Sequence, residues 1–409
     1  MEHVAVAVVG GGQAGLATSF ELTRHGIEHL VLERDRVGQT WRDRWDTFCL
    51  VTPNWSVQLP GFHYAGSDPD GFMPRDEILA YLEKYAKVFG APIREGVDVT
   101  SLDRGSPFLL RTSAGDLRAD TVVVATGAYQ RPYRPAAADT LPGDLLQLDV
   151  PDFRNEQALP PGRVLIVGSG QSGCQIAEEL HEAGREVFLA CGRTPWAPRR
   201  FGGRDLFWWA LETGFMDGTI ESLPTPAARL VANIVTTGHG GGHDLHLRTL
   251  RALGIVLTGR FVGATDHIAR FAPDLPDSVA WSDQRYEQFM DLVRKLVAER
   301  GLEPPTIERA EPFDANAPDQ LDLAGFGAVI FAGGFRPDYR TLLPWPEAFD
   351  DLGFPLQRDG ASSVVQGLYF AGVHFLRKRK SSLLVGVGED AAIVARQIAG
   401  SGVAPASGP

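Results

Sequence analysis

Two stretches of this chain have the residue types and spacing to hold phosphates. They are Gly10-x-Gly12-x-x-Gly15, within "VAVAVVGGGQAGLATSFEL", and Gly168-x-Gly170-x-x-Gly173, within "RVLIVGSGQSGCQIAEEL". In such a turn the first glycine permits a tight bend and the second lets a pyrophosphate approach the backbone. The third lets the following helix pack on the strand. The helix then offers free N–H groups and its positive dipole end to the anion. Gln13 and Ala14 open the first helix, and Gln171 and Ser172 the second. All four are candidate contacts. Each unit is therefore read as a dinucleotide site, because each turn falls between an apolar strand and a helix.

The two units differ at the end of their second strands. The first ends in Glu33, followed by Arg34. A carboxylate there accepts hydrogen bonds from ribose hydroxyls and repels a 2′-phosphate, which suits an adenosine with a free ribose. The second carries Arg193, a cation that favours the 2′-phosphate of NADP, with Arg199 and Arg200 as further candidate cations. FAD is accordingly expected at the first turn and NADPH at the second.

These motifs need parallel strands and covering helices. Strands are predicted at 4–9, 29–33, 163–167 and 186–190, and helices at 13–25, 76–89 and 171–183. Late strands follow at 328–334 and 368–372, with a helix near 389–399. Continuous apolar strands separated by helices imply parallel sheets covered on both faces. The expected fold class is α/β, with two Rossmann-like dinucleotide-binding domains, the second inserted into the first. The domains are placed at 1–150 (FAD, first part), 151–325 (NADPH, with a helical insertion) and 326–409 (FAD, second part). The last ten residues, rich in Gly, Ala, Ser and Pro, are expected to fray.

Bulk properties narrow the class. With 409 residues, two domains are the natural reading. Hydrophobic content of 44% and charged content of 22% are those of a soluble globular protein. The net charge of −12 argues against nucleic acid or an anionic membrane as partner, and no apolar run is long enough to span a bilayer. No secretory signal opens the chain. Cys49, Cys174 and Cys191 form no close pair in sequence, which suggests neither a disulfide framework nor a dithiol redox centre and suits a reducing cytoplasm.

With both nucleotide sites in place, the chain resembles the flavin-containing monooxygenase group, and more narrowly its bacterial FAD-dependent oxidoreductases. The resemblance runs nearly end to end, through "GQTWRDRWDTFCLVTPNWSVQLPGF", "VVVATGAYQRP", "GRDLFWW", "GGHDLHL", "FAGGFRPD" and "RKRKSSLLVGVGEDAA". It implies that Gln39, Thr40, Trp41, Arg42 and Trp45 line FAD, and that Ala125, Thr126 and Gly127 mark a crossing between the domains. Val99 and Gly333 join the implied cofactor contacts. Gly372 and the segment from Gly386 through Glu389 to Asp390 would cover the flavin, with helix N–H groups aimed at the ring.

The chain departs from the family pattern at three places. Asp149 stands where a His is usual, four residues before Phe153; Val51 stands where many members have a flavin-facing Asn, with Asn54 three residues on; and Ala332-Gly333-Gly334 replaces a late "ATG". Candidate catalytic residues are Asn54, Asp244, Lys380 and Ser382. Asp244 belongs to the loop "GHGGGHDLHL", which the resemblance turns toward nicotinamide and substrate. His239, His243 and His246 in that loop fix no third ligand by spacing, so no metal is expected. The "RKRK" run at 377–380 reads either as a flavin-bordering cation cluster or as a solvated face.

The activity implied is an NADPH-consuming monooxygenation. NADPH reduces FAD, a flavin hydroperoxide forms with O₂, and oxygen passes to nitrogen or sulfur or inserts beside a ketone. A small-molecule substrate and O₂ are the partners, with a homodimer left open. An NADPH-dependent flavin reductase or oxidase, and a redox-sensing flavoprotein module, are the alternatives.

Overall fold

The computed structural model describes residues 1–401. Two parallel sheets form its centre. The first orders Leu368–Phe370, Leu117–Val124, Glu2–Val9, His29–Leu32 and Ile93–Arg94 side by side, all parallel. The antiparallel hairpin Val99–Asp103 and Phe108–Thr112 joins it through Leu117–Val124. The second sheet orders Leu146–Asp149, Phe326–Phe331, Arg163–Val167, Val187–Ala190 and Val256–Thr258, again all parallel. The same five-strand plan thus occurs twice. Both faces of each sheet are covered, so Val6, Val8, Val123, Ile166 and Ile330 are inaccessible to solvent.

The nested α/β architecture is as expected. The second lobe, however, begins earlier and ends later than 151–325, because Leu146–Asp149 and Phe326–Phe331 pair with each other inside the second sheet. That pairing is non-local, and neither strand's own pattern tells which sheet it joins. Between the lobes the chain crosses twice, and the crossings pair as the short antiparallel ribbon of Arg131–Pro132 and Phe335–Arg336.

The helices Gln13–Arg24 and Gln171–Glu182 follow the two glycine turns, and Val387–Gly400 packs on the first of them. The second lobe also holds Leu206–Glu212, Leu247–Leu253 and the long helix Leu275–Arg300. No helix among the described residues is long and apolar enough to cross a membrane. Of the terminus expected to fray, residues 402–409 lie outside the described residues, and the last helix continues to Gly400.

Candidate active site between two glycine turns

A cavity of about 1140 Å³ runs from the first glycine turn to the second. Gly10, Gly12, Gln13 and Ala14 border it at one end, and Gly168, Gly170, Gln171 and Ser172 at the other. The two turns have matching geometry. A Cβ on Gly10 would lie 2.5 Å from the Ala125 carbonyl oxygen, and one on Gly168 would lie 2.5 Å from that of Ala332. Gly15 and Gly173 do not touch the cavity. Their missing side chains let helix backbone meet the Gly10 and Gly168 carbonyls, where a Cβ would come within 1.8 and 1.9 Å. Neither helix has an acidic residue in its first turn or a side-chain cap, so the first N–H groups remain available to phosphates.

The middle residue of each turn explains how the second strand is held. In the first unit, Gly11 donates its N–H to Glu33 Oε2 at 2.6 Å, while Asp35 donates to Oε1 at 3.0 Å. Glu33 is buried and lines the cavity, with lone pairs left for ribose hydroxyls. In the second unit Ser169 takes the place of Gly11. Its hydroxyl accepts from the Gly192 N–H and lies 3.0 Å from the Thr194 hydroxyl, bracing the loop that presents Arg193. Arg193 is exposed at the cavity edge and has no ion-pair partner among the described residues.

Most expected cofactor contacts line this cavity: Glu33, Arg34, Thr40, Trp41, Val99, Ala125, Thr126, Gly127, Gly333 and Gly372. Gln13 ties two of its walls together, accepting from Trp41 Nε1 at 3.1 Å and donating to the Ser382 carbonyl at 3.1 Å. Ser382 also lines the cavity, and its hydroxyl is buried with no hydrogen-bond partner among the described residues. A polar atom so placed needs a ligand group to satisfy it. This orphan, the free helix N–H groups, the open space above Gly12 and the absence of a side chain at Gly170 fit two dinucleotides.

Several expectations fail on geometry. Trp45 does not reach the cavity; its indole meets Phe48 edge-on and is buried with Val150, Phe153 and Leu159 in the second lobe's core. Arg42 turns outward to Glu83. Glu389 and Lys380 neutralise each other at 2.6 Å, with Asp217 and Lys378 beside them, and neither lines the cavity. Asp390 is buried against Arg377. From this stretch the residues that reach the cavity are Ser382, Leu383, Leu384 and Val385, upstream of the helix whose start was expected to face the ring.

Asp244 holds the backbone N–H of Arg199 at 2.5 Å and lies outside the cavity wall. Its loop packs on the outer side of the second-turn helix, where His243 meets buried Glu178 at 2.6 Å and His239 meets Glu182 at 3.0 Å. Arg199 itself is buried: it bonds Asp205, the Val51 carbonyl and the Thr236 hydroxyl, with its guanidinium over Phe72. It fastens the lobes together and is not free for a phosphate. Arg200 is spent on the carbonyls of Gly241 and Gly242.

Asn54 is also structural. Its amide donates to the Asp68 carbonyl at 2.9 Å and accepts from the Met73 N–H at 2.7 Å, tying down the 68–73 loop. Asn54→Ala should strand a buried backbone donor, at a cost on the order of 1–3 kcal/mol. The expected result is a melting temperature lower by roughly 2–6 °C with an unchanged KM for NADPH. Unchanged melting with lost turnover would restore a catalytic role. Val51, in contrast, lines the cavity and places an aliphatic side chain there.

The site also contains residues with no local signal in the chain. Arg44 lines the cavity at the crossing ribbon, its guanidinium within 6 Å of the Phe48, Tyr129 and Phe335 ring centres. Ala232 lies beside Gly170, and Arg229, Asn233 and Ile234 continue that wall. His374 lines the cavity too, bonding the Arg229 carbonyl at 2.9 Å. Burial pulls the imidazoles of His374 and His246 down to about 4. An unfolded histidine titrates near 6.5, so between about 6.5 and 4 the unfolded chain binds more protons. Stability should therefore fall as pH drops through that window. Melting curves at pH 7.5 and 5 test this: His374→Gln should lose part of the slope, and an identical slope in both proteins refutes the assignment.

Comparison with known proteins agrees with this geometry. Residues 7–202 match a family model described as pyridine nucleotide-disulphide oxidoreductase. A CzcO-like oxidoreductase of Geobacillus kaustophilus is 32% identical over 96% of this chain and 97% of its own length. The chain belongs to the CzcO-like oxidoreductases.

Similarity extends to a Baeyer-Villiger monooxygenase of Streptomyces coelicolor, 35% identical over 44% of this chain and 36% of that one. Among solved structures, the flavin-containing monooxygenase of Stenotrophomonas maltophilia superposes with a TM-score of 0.69 at 20% identity, covering 98% and 99% of the two chains. The resemblance to the flavin-containing monooxygenase group holds. This CzcO-like protein is an oxidoreductase. The disulphide chemistry in the family model's description finds no dithiol here. Cys174 and Cys191 are buried, and burial pushes the Cys191 thiol up to about 12 and that of Cys49 to about 11.

Proposed function

We propose that this protein is a single-chain, NADPH-consuming flavin monooxygenase. It oxygenates a small molecule at nitrogen or sulfur, or inserts oxygen beside a ketone. The observation that supports it best is the continuity of one cavity from the Glu33 turn to the Arg193 turn, with an apolar end formed by Leu206, Phe207, Phe215, Met216, Leu383 and Val385. Bound FAD supplies hydride acceptance and oxygen activation. The chain's own part is to bind, orient and exclude water. Glu33 takes the FAD ribose hydroxyls, the amino ends at Gly12 and Gly170 take the two pyrophosphates, and Arg193 takes the 2′-phosphate. Gln13, held by Trp41 and the Ser382 backbone, keeps the wall in register, and the Ser382 hydroxyl is left for a cofactor or substrate group. The apolar end shields the reacting atoms from water, which strengthens every polar contact inside. One substrate, O₂, NADPH and a proton yield oxygenated product, NADP⁺ and water.

A cytoplasmic setting fits three unpaired thiols. The test is NADPH oxidation in the presence of amines, sulfides and ketones, with ¹⁸O₂ label followed into product. Label in product supports the reading; no substrate-stimulated NADPH use across the three classes rejects it. A second reading, an NADPH oxidase releasing hydrogen peroxide, is favoured by Val51 at the wall and by Asn54 being tied away from it. NADPH use that matches peroxide release mole for mole, with no labelled product, would establish that reading.

A further inference from the structure

The Arg377–Lys380 run is not a uniform basic patch. Arg377 pairs with Asp359 and Asp390, at 3.0 and 3.1 Å. Lys378 and Lys380 each pair with both Asp217 and Glu389. Arg379 alone in this run has no carboxylate within 4.0 Å among the described residues. Its Nη1 donates to Asn233 Oδ1 at 3.1 Å, and its guanidinium lies over Phe215 and Phe375, 4.2 and 5.0 Å from their ring centres. Its Nε is sealed from solvent with no acceptor among the described residues. Burial pulls the guanidinium down to about 10, which leaves it charged at neutral pH. A sheltered cation without a counter-charge is unfavourable unless something supplies one.

Asn233 and Phe215 both line the cavity, so this charge stands one side chain behind the wall. The Asn233 carbonyl oxygen is taken by Arg379, which leaves the amide N–H₂ as the group that can meet a ligand. Met216, Ile234, Leu383 and Val385 line the same cavity and pack with Phe215 in one apolar cluster, where a charge acts more strongly than in water.

We propose that Asn233, backed by the unneutralised guanidinium of Arg379, reads an anionic group on the organic substrate at the apolar end of the cavity. The substrate class is then an aryl or alkyl acid. This rests on the monooxygenase reading only in calling the occupant a substrate. The cofactor phosphates already have two helix amino ends and Arg193. Ala232, however, lies within 3.7 Å of a Cβ built on Gly170, so an NADPH phosphate is the other anion in reach.

The test uses FAD-loaded protein without NADPH. Titration calorimetry compares phenylacetate with phenylacetamide, and 3-phenylpropanoate with its amide. The acids are expected to bind at least about tenfold tighter than the amides, the scale of one charge-assisted hydrogen bond. Arg379→Gln and Asn233→Leu should each bring that ratio close to one, while Arg379→Lys retains part of it. Melting curves identify any variant that has failed to fold, and either of the two then suffices. Equal binding of acids and amides, or no binding of any probe at millimolar concentration, overturns the proposal. So does an Arg379→Gln variant that keeps the ratio and instead weakens NADPH, because the site would then belong to the dinucleotide. Binding is read without turnover. A protein that prefers the acids yet never oxygenates any compound would sink the monooxygenase reading and leave the anion site standing.

Discussion

Gly12→Val is expected to give a folded protein that no longer holds FAD. A Cβ built on Gly12 meets no protein atom within 4 Å, and its φ of −82° is ordinary for any residue. The valine side chain therefore costs the empty fold little and occupies the space where a pyrophosphate must approach backbone. Flavin-to-protein absorbance after purification should fall from near one equivalent to below about a tenth, since even 1.4 kcal/mol changes affinity tenfold. Melting of the apoprotein should stay within a few degrees of wild-type apoprotein. Gly15→Val is the contrasting control: its Cβ would lie 1.8 Å from the Gly10 carbonyl oxygen, so it should fail to fold rather than merely lose flavin. A fully yellow Gly12→Val protein would remove FAD from the first turn.

Arg193→Ala should weaken NADPH by about ten- to a hundredfold, the range for hydrogen bonds to a charged group. NADH, lacking the 2′-phosphate, should change by less than about twofold. The selectivity follows from position. Arg193 is exposed at the cavity edge and unpaired among the described residues, on a loop braced by Ser169, whereas Arg199 and Arg200 are committed to Asp205 and to backbone carbonyls. Steady-state KM values, with dissociation constants from flavin-perturbation titrations, measure the effect. Equal losses for both nucleotides would exclude Arg193 from the phosphate site and direct attention to Arg260, which also lines that end of the cavity.

The two variants probe different levels of the same design. A glycine turn is local: five or six residues set the bend, the approach and the helix start. That is why Gly12, Gly170, Glu33 and Arg193 stand at the cavity wall where spacing alone put them. Three of the four catalytic candidates do not reach that wall. Asn54, Asp244 and Lys380 have the right chemistry and the right neighbourhood in the chain, yet each is consumed by a partner: the Asp68 and Met73 backbone, the Arg199 N–H, and Asp217 with Glu389. A polar group's role depends on which of its lone pairs and protons remain unused, and the tertiary contacts decide that. Ser382, the fourth candidate, does line the cavity, and the fold leaves its hydroxyl buried and unmatched among the described residues.

The chain by itself determined what local periodicity and fixed spacing can carry: two strand–turn–helix units, their apolar parallel strands, and the carboxylate of Glu33 and the guanidinium of Arg193 at the two ends of one cavity. Tertiary structure alone decided where the lobes divide, because Leu146–Asp149 and Phe326–Phe331 declare their sheet only by pairing across the sequence. It also set Trp45 in a core rather than on the cofactor, gathered Arg44 with the crossing ribbon, and left Arg379 unpaired among paired neighbours. The physical reason is range. Backbone preference acts over a few residues, whereas burial and charge neutralisation are settled by whichever distant side chains the fold brings within a few ångströms.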